Sequence, residues 1–230
     1  MQDTSTSKLY RIMPFRHVVD FFESRELNFA SPSSWEDPYE RVLQHKGTAH
    51  TYAQCWCKRA VSDAMWRIYS SDRTAVRIRT TRGKLANVGA RVRASYHSSF
   101  RLEDVTYDTS RNVKAKLDEL AERLRARFDA ERATDALLIK RQAFDFEAEV
   151  RAIIYVKPQT GLKRSEFFRI KIDPHTFVES ILFDPRADPT YVKMATHYLR
   201  SALRFKGVIG RSELYRASQI HILDEVEPEL

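Results

Sequence analysis

The amino-acid sequence predicts a single α+β domain, with a mixed or mostly antiparallel sheet and flanking helices. Strand-like and helix-like segments follow one another without the regular alternation of a doubly wound parallel fold. A chain of 230 residues can bury one substantial core, and no Gly- or Pro-rich linker divides it. We therefore expect one domain at residues 8–222, with flexible tails at 1–7 and 223–230.

The first half of the chain contains four predicted strands and two predicted helices. Short apolar or alternating runs predict strands at residues 9–12, 27–30, 52–57 and 76–80. Pro14 fits the first turn of a helix that continues to Phe22, and residues 62–69 form a second helix. The intervening segment 31–40 is rich in turn and cap formers and predicts a loop.

The second half has the same mixed character. Apolar residues three or four apart predict a long amphipathic helix over 112–128, and Thr134 begins another that runs to about residue 141. Strands are predicted at 105–107, 150–156, 167–172 and 177–183. A last helix buries a stripe of five residues, which are Tyr191, Met194, Ala195, Tyr198 and Ala202.

Composition indicates a globular protein that remains in the cytoplasm. Hydrophobic residues make up 43% and charged residues 30%, which is too apolar for a disordered chain and too charged for a membrane protein. The N-terminal residues lack the apolar core of a secretion signal. The two cysteines, Cys55 and Cys57, lie on one face of a predicted strand, so we expect reduced thiols and no zinc site.

The formal net charge of +8 favours an acidic partner, either nucleic acid or an acidic protein. Five arginines in the middle of the chain are the predicted nucleic-acid-binding residues; they are Arg77, Arg79, Arg82, Arg91 and Arg93. The alternative is a solvated basic face without a ligand.

The most informative segment for chemistry contains Glu147 and Glu149, which lead directly into an apolar strand. Alternate residues of a strand share a face, so we expect both carboxylates to project together. Close like charges raise one another's proton affinity, which suits acid or base chemistry near neutral pH. Arg151 shares this face and would hold one carboxylate ionised. The alternative is a surface ladder of glutamate and arginine across a sheet.

Two further segments offer ligand-binding groups. Tyr10 and Arg11 on the first strand combine a stacking ring with a phosphate-binding guanidinium, although a surface arginine beside a core tyrosine explains them too. The segment 35–40 carries aromatic and acidic side chains around Asp37, whose backbone the following proline restricts. It would close over a ligand or simply begin a helix. Met65, Trp66 and Tyr69 form a helical stripe typical of a core. The common nucleotide-binding, metalloprotease and hydrolase motifs are absent from the sequence.

Four motifs together resemble a bacterial and phage family catalogued as a domain of unknown function. They are Leu9-Tyr10-Arg11, Asp37-Pro38-Tyr39-Glu40, Met65-Trp66 with Tyr69, and Glu147-Ala148-Glu149-Val150-Arg151. The resemblance spans roughly residues 9–215. It departs from the family pattern at Glu36, at Phe146 and near Ala75.

The layout is also remotely similar to that of ADP-ribosyltransferases, which have an early Tyr-Arg strand and a late Glu-x-Glu at a strand start. This resemblance implies a split sheet, with NAD as the substrate. It implies that Glu149 is the catalytic glutamate, that Glu147 orients the acceptor, and that Arg11 binds pyrophosphate. Tyr10, Trp35 or Tyr69 would stack on nicotinamide. Ser31, with its neighbouring serines, would take the place of the family's Ser-Thr-Ser element.

The leading hypothesis is therefore an ADP-ribosyltransferase-like enzyme that modifies nucleic acid or protein, in a toxin or anti-phage setting. One alternative is a non-catalytic nucleic-acid-binding module. Another is a nuclease that binds magnesium through Asp37, Glu40, Glu147 and Glu149.

Overall fold

A computed structural model of the chain describes residues 4–35, 37–41, 45, 47–60, 62–157 and 165–216. The strands are β1 (Lys8–Met13), β2 (Glu26–Ala30), β3 (Thr51–Cys57), β4 (Val76–Thr81), β5 (Ser99–Asp104), β6 (Thr106–Asp108), β7 (Ile139–Arg141), β8 (Glu149–Tyr155), β9 (Phe167–Lys171), β10 (Ser180–Phe183) and β11 (Val208–Arg211). The α-helices are α1 (Phe15–Ser24), α2 (Asp63–Tyr69), α3 (Arg82–Tyr96), α4 (Ser110–Ala126), α5 (Ala130–Ala133), α6 (Pro174–Phe177) and α7 (Pro189–Ser201). Short 3₁₀ helices include Pro32–Ser34, Pro38–Arg41, Thr134–Leu138 and Gln142–Glu147.

The main sheet divides at β3. Strand β8 pairs antiparallel with β3 along its whole length and so occupies one edge of it. β1 and β2 must share the other edge, and each does so through a single residue pair, Tyr10↔Cys57 and Ala30↔Ala53. Within the described ranges β1 and β2 do not pair with each other. The sheet therefore opens between them.

Each arm of the sheet continues away from β3. β1 leads to β4, β10 and β11, β2 leads to β9, and β8 leads to β5. These pairs are antiparallel apart from β10 with β11, and a separate parallel pair is formed by β6 and β7. The predicted α+β class with a mostly antiparallel sheet is confirmed, and the sheet is split as the resemblance implies.

One large core lies between the sheet and the helices α1, α3, α6 and α7. Trp56, Ile78 and Val150 of three strands belong to the same buried cluster as Phe22 of α1 and Leu85 of α3. Complete burial of each such side chain stabilises the fold by about 1.5–3 kcal/mol. Helix α4 instead buries its stripe in a separate small cluster with α5 and the following turn.

Helix α3 and strand β5 were not predicted from the sequence. Helix α3 is rich in charge, but its buried residues include Leu85, Val88 and Val92, which follow helical spacing. Gly89 completes that face and allows close packing on β5, because a Cβ atom there would lie 2.1 Å from the ring of Phe100. A small residue at this position hides the apolar stripe from a reading of hydrophobicity.

Three predicted elements are wrong in part. The predicted helix over 134–141 is a 3₁₀ turn that ends at Leu138, and Lys140 lies on strand β7. The strand predicted at 177–183 begins only at Ser180, as β10, because Phe177 is the last residue of the short helix α6. In α7, Met194 is 62% exposed, and the buried residues are Ala195 and Leu199.

The predicted tails lie largely outside the described residues, which begin at 4 and end at 216. Thr4–Thr6 form a 3₁₀ turn, and the Ser7 carbonyl accepts a hydrogen bond of 2.8 Å from the Arg82 amide. None of the helices within the described ranges combines the length and the apolarity needed to cross a lipid bilayer.

Candidate active site

A cleft of about 520 Å³ occupies the opening between β1 and β2. Its walls come from β1, β3, the start of β8, helix α2, and the segment that contains Trp35 and Glu40. The volume lies within the range of small-molecule sites. Paired positions of an antiparallel ladder face the same side, so Cys55 and Arg151 face the cleft together, as do Cys57 and Glu149.

A second cavity of about 590 Å³ adjoins this cleft and shares Glu40 with it. Prolines, alanines, threonines and Leu137 form most of its wall, and its ionisable groups are Glu40, Arg41 and His45. The first cleft is smaller but contains the acid pair and several buried cations, and so it is the candidate active site.

Glu147 and Glu149 converge in the cleft on Lys140. The Lys140 amine donates to Glu147 Oε2 and, over 2.6 Å, to Glu149 Oε1. Glu147 ends a 3₁₀ helix and Glu149 begins β8, so the two are not alternate residues of one strand as the sequence analysis assumes. Ala148 between them is left-handed, with φ of 42° and ψ of 53°, and this bend turns both carboxylates inward.

Arg151 anchors the other side of Glu149. Its guanidinium is fully buried, and its Nε donates to Glu149 Oε2 over 2.6 Å. The remaining nitrogens donate to the Leu137 carbonyl, at 2.7 Å, and to Glu40 Oε1. The indole of Trp35 lies 4.6 Å from the guanidinium carbon. Each nitrogen of this buried cation therefore donates at least one hydrogen bond, which uses three of its five N–H groups.

The two glutamates have opposite proton affinities. Burial and the neighbouring Glu149 raise the pKa of Glu147 to about 7. Burial alone would also raise the pKa of Glu149, but the charges of Arg151 and Lys140 outweigh it and hold that pKa well below its ordinary range. Near neutral pH, Glu149 is thus ionised while Glu147 exchanges a proton.

Arg11 is the cation of the cleft that has no hydrogen-bond or ion-pair partner among the residues that the structure describes. Its side chain is half-buried close to Cys55 and Tyr69, and burial lowers its pKa against the opposing influence of those groups. Arginine nevertheless stays protonated in proteins. Among the described residues, no hydrogen bond or ion pair engages the guanidinium. Because its N–H donors are directed into the cleft and are not used by the described residues, Arg11 is suited to an anionic ligand.

Aromatic rings line the same cleft. Tyr10 packs under Arg77, whose guanidinium carbon lies 4.8 Å from the ring centre. Tyr69 donates a hydrogen bond of 3.2 Å to Glu147 Oε1. Trp35 covers Arg151, as described above. The predicted cofactor-binding residues Tyr10, Arg11, Trp35 and Tyr69 are therefore brought together with the acid pair.

Ser31 is the exception among the predicted cofactor-binding residues. Its hydroxyl lies 2.9 Å from that of Ser33, and the cleft is lined by Ser34 in its place. The two cysteines are free thiols on β3, as predicted. Cys55 faces the cleft, but burial and the nearby Glu149 raise its pKa, so it is a poor nucleophile at neutral pH.

The five arginines predicted to bind nucleic acid lie on β4 and α3 and do not form one free basic face. Arg79 pairs with Glu179 at 3.2 Å, and Arg82 pairs with Asp104 at 2.6 Å. Arg91 and Arg93 each donate to a backbone carbonyl. Arg77 has no ion pair among the described residues and instead stacks on Tyr10.

The four carboxylates of the nuclease alternative are engaged by cations. Asp37 accepts a hydrogen bond of 3.1 Å from Arg141, and the others contact Lys140 or Arg151. In the part of the chain that the structure describes, no group of three or more histidine, cysteine or acidic side chains could hold a metal ion. The geometry thus favours a charge network over a magnesium site.

Lys140 is a contributor to the site that was not predicted from the sequence, and Glu40 was predicted beside the acid pair only in the magnesium alternative. Lys140 lies seven residues before Glu147, on a two-stranded sheet whose short apolar signal resembles a helix end. Glu40 stands in the Asp37-Pro38-Tyr39-Glu40 motif, which joins the site only because the chain folds over the cleft. For Lys140, the sequence offers only a weak signal, which is a cation directly after the apolar run Ala136–Ile139.

Comparison with known proteins gives one family match. Residues 65–152 match the model of a family described as a protein of unknown function (DUF2971). This confirms the resemblance to a family of unknown function over that segment. The segment contains the Met65-Trp66 and Glu147–Arg151 motifs, whereas the two earlier motifs precede it. No curated protein matches the chain.

Two solved structures are similar over most of the chain. The first is Thermus sp. 2.9 DarT in complex with carba-NAD+, with a TM-score of 0.42, 10% sequence identity, and coverage of 90% of this chain and 96% of that chain. The second is Thermus sp. 2.9 DarT in complex with NAD+, with a TM-score of 0.40, 11% identity, and coverage of 91% and 98%.

Proposed function

We propose that the protein is an ADP-ribosyltransferase-like enzyme that uses NAD to modify nucleic acid or protein. One observation carries the proposal: a single cleft holds the Glu147–Glu149 pair together with the guanidinium of Arg11, to which no described residue is bonded. An anion-binding cation, aromatic surfaces and an ionised carboxylate are what a dinucleotide donor of ADP-ribose requires. The order of motifs along the chain, which is similar to that of ADP-ribosyltransferases, supports the same activity.

NAD would supply the ADP-ribosyl group, with nicotinamide as the leaving group. Arg11 binds the pyrophosphate, because a guanidinium matches phosphate oxygens in charge and in geometry. Tyr10, Trp35 or Tyr69 offers a ring face to the nicotinamide. The cleft residues thus bind both ends of the donor.

The two glutamates divide the chemistry. Glu149 stays ionised, and its negative charge favours the positive charge that develops on the ribose as the glycosidic bond breaks. Glu147 accepts the proton of the acceptor as the new bond to the ribose carbon forms, for which its pKa of about 7 is suitable. The bond to nicotinamide breaks, one bond to the acceptor forms, and the acceptor proton passes to Glu147 and then to solvent.

The test is transfer from adenylate-labelled NAD onto single-stranded DNA, duplex DNA, RNA and bacterial protein, with nicotinamide release measured in parallel. We expect Glu149→Gln to lower the rate by about 100-fold or more, in line with the loss of one charge-stabilising group. Glu119→Gln, on the exposed face of α4, is the matched control and should retain full activity. Thermal unfolding of both variants shows that each is folded.

Labelling by Glu149→Gln at the unsubstituted rate would refute the proposal. Absence of transfer from the unsubstituted protein, together with salt-dependent oligonucleotide binding that Glu149→Gln leaves unchanged, would favour the nucleic-acid-binding module. The toxin or anti-phage role is tested by expression in a bacterial host. Growth should slow with the unsubstituted protein but not with Glu149→Gln.

A further inference from the structure

Lys140 is the residue that connects the two carboxylates of the cleft. Its amine contacts both Glu147 and Glu149 and lies 3.8 Å from Glu40 Oε1. The side chain is buried, with 7% of its surface exposed, and its amine lies 4.8 Å from the ring centre of Phe144. Lysine is almost never buried unless it is paired. Here the pairing is with the acids to which we assign the chemistry.

The backbone around Lys140 is held in place independently of this contact. Strand β7 pairs in parallel with β6, and Tyr107 stands opposite Lys140. The Tyr107 hydroxyl accepts a hydrogen bond of 2.8 Å from the Glu149 amide. The small sheet is therefore attached to the first residue of β8, which fixes the position from which the amine reaches the acids.

We propose that Lys140 is a positioning residue of this site: its amine holds the Glu147 and Glu149 carboxylates beside each other and opposes the protonation of Glu147, so that Glu147 is free to accept a proton. This inference rests on the proposed function, in which Glu149 must stay ionised while Glu147 takes up a proton. Without the amine, two carboxylates would face each other across a buried space with Arg151 on one side only.

The charges around Glu147 come from several elements and act in opposite directions. Lys140 favours its ionised form, whereas Glu149 and burial favour the protonated form. Within the described ranges, the other titratable groups that interact with Glu147 or with the Lys140 amine are Tyr69 on α2, Tyr107 on β6, Cys57 on β3 and Glu40 in the segment over the cleft. Tyrosine and cysteine are uncharged near neutral pH, so Lys140 is the cation that sets the balance at Glu147.

The direct test is a ¹³C-NMR titration of glutamate-labelled protein, with the Glu147 carboxyl signal assigned from Glu147→Gln. We expect Lys140→Met to move the Glu147 midpoint upward by about one pH unit or more, which is a tenfold gain in proton affinity. Lys140→Arg keeps the charge and should leave the midpoint near that of the unsubstituted protein. Lys114→Met, on the exposed face of α4, should change nothing.

Lys140→Gln keeps a hydrogen-bond donor but not the charge, so it replaces Lys140→Met if the latter does not fold. An unchanged or lowered Glu147 midpoint in the charge-deleting variant would overturn the assignment. In the transfer assay, the same variant should shift the acidic limb of the pH–rate profile upward by a similar amount. A fall in rate at an unchanged pH profile would indicate a merely structural role and would also overturn it.

The titration and the transfer assay separate the two claims. Loss of the proposed function would appear as no transfer by the unsubstituted protein at any pH. The effect of the Lys140 charge on the Glu147 midpoint would still be measured by NMR, because that signal does not depend on activity.

Discussion

Replacement of Arg151 by methionine should be among the most destabilising single changes in the chain. The guanidinium is fully buried and donates to Glu149, to Glu40 and to the Leu137 carbonyl. Methionine fills much of the same volume, so the effect comes mainly from the lost charge. Removal of one partner from a buried ion pair leaves the other charge uncompensated and costs about 3–5 kcal/mol.

The assay is urea unfolding at pH 8, where the glutamates are most fully ionised. Arg123→Met on α4 is the matched control, because its ion pair with Glu119 is exposed and contributes less than about 1 kcal/mol. A double-mutant cycle adds Glu40→Gln. That change removes one of the carboxylate charges that Arg151→Met leaves without a partner. It should therefore recover part of the lost free energy of unfolding, with a coupling energy of about 1 kcal/mol or more.

The refuting result is specific. If Arg151→Met lowers the free energy of unfolding no more than Arg123→Met, then the buried network does not carry the stability that its geometry implies. The division of charge within the cleft would then have to be maintained in another way.

Three further predictions concern the cleft and its backbone. The pKa of Glu147 rises from 4.5 to about 7 on folding, so the stability that its protonation contributes is lost as pH rises through that interval. Glu147→Gln should therefore flatten the decline of the free energy of unfolding, measured in urea, between pH 5 and 8. Parallel pH profiles of the variant and the unsubstituted protein would contradict this. Ala148→Gly should raise the free energy of unfolding by about 0.5–1 kcal/mol, because φ of 42° strains alanine. A lower melting temperature of the variant would contradict the left-handed conformation at this position. Burial raises the pKa of Cys55, so its reaction with a disulfide reagent at pH 8 should be at least about tenfold slower in the folded than in the unfolded protein. Equal rates would show that the thiol is accessible and reactive in the folded state.

Local patterns predicted the elements that form the walls of the cleft. Strands β1, β2, β3 and β8 each have an apolar or alternating run with clear ends, and Ser62 caps α2 by accepting from the Met65 amide. Such signals depend only on residues that are neighbours in the sequence. Once the predicted strands are paired, they also bring Tyr10, Arg11 and Tyr69 to the cleft.

The convergence of Glu147 and Glu149 was predicted for an incorrect reason. Strand periodicity places alternate residues on one face, but only Glu149 lies in the strand. The left-handed Ala148 brings Glu147 to the same point. A positive φ at alanine has no sequence signature, because it persists only where the surrounding structure enforces it.

The role of Lys140 and the existence of α3 could not be predicted from local sequence patterns, for different physical reasons. The role of Lys140 depends on a tertiary contact between the two-stranded sheet of β6 and β7 and the start of β8. Helix α3 packs through Gly89 against Phe100, so part of its buried face carries no apolar side chain. Both features are defined by what lies opposite in space and not by the residues beside them in the chain.

The central claim is that the cleft binds NAD through Arg11, beside the acid pair. Calorimetric titration of the protein with NAD measures this directly. We expect one binding site whose affinity falls by about tenfold or more in Arg11→Gln, since a hydrogen bond to a charged group contributes about 1.5–3 kcal/mol. The exposed Arg127→Gln should bind as the unsubstituted protein does. Equal affinity of Arg11→Gln and the unsubstituted protein, or no binding by either, would contradict the account.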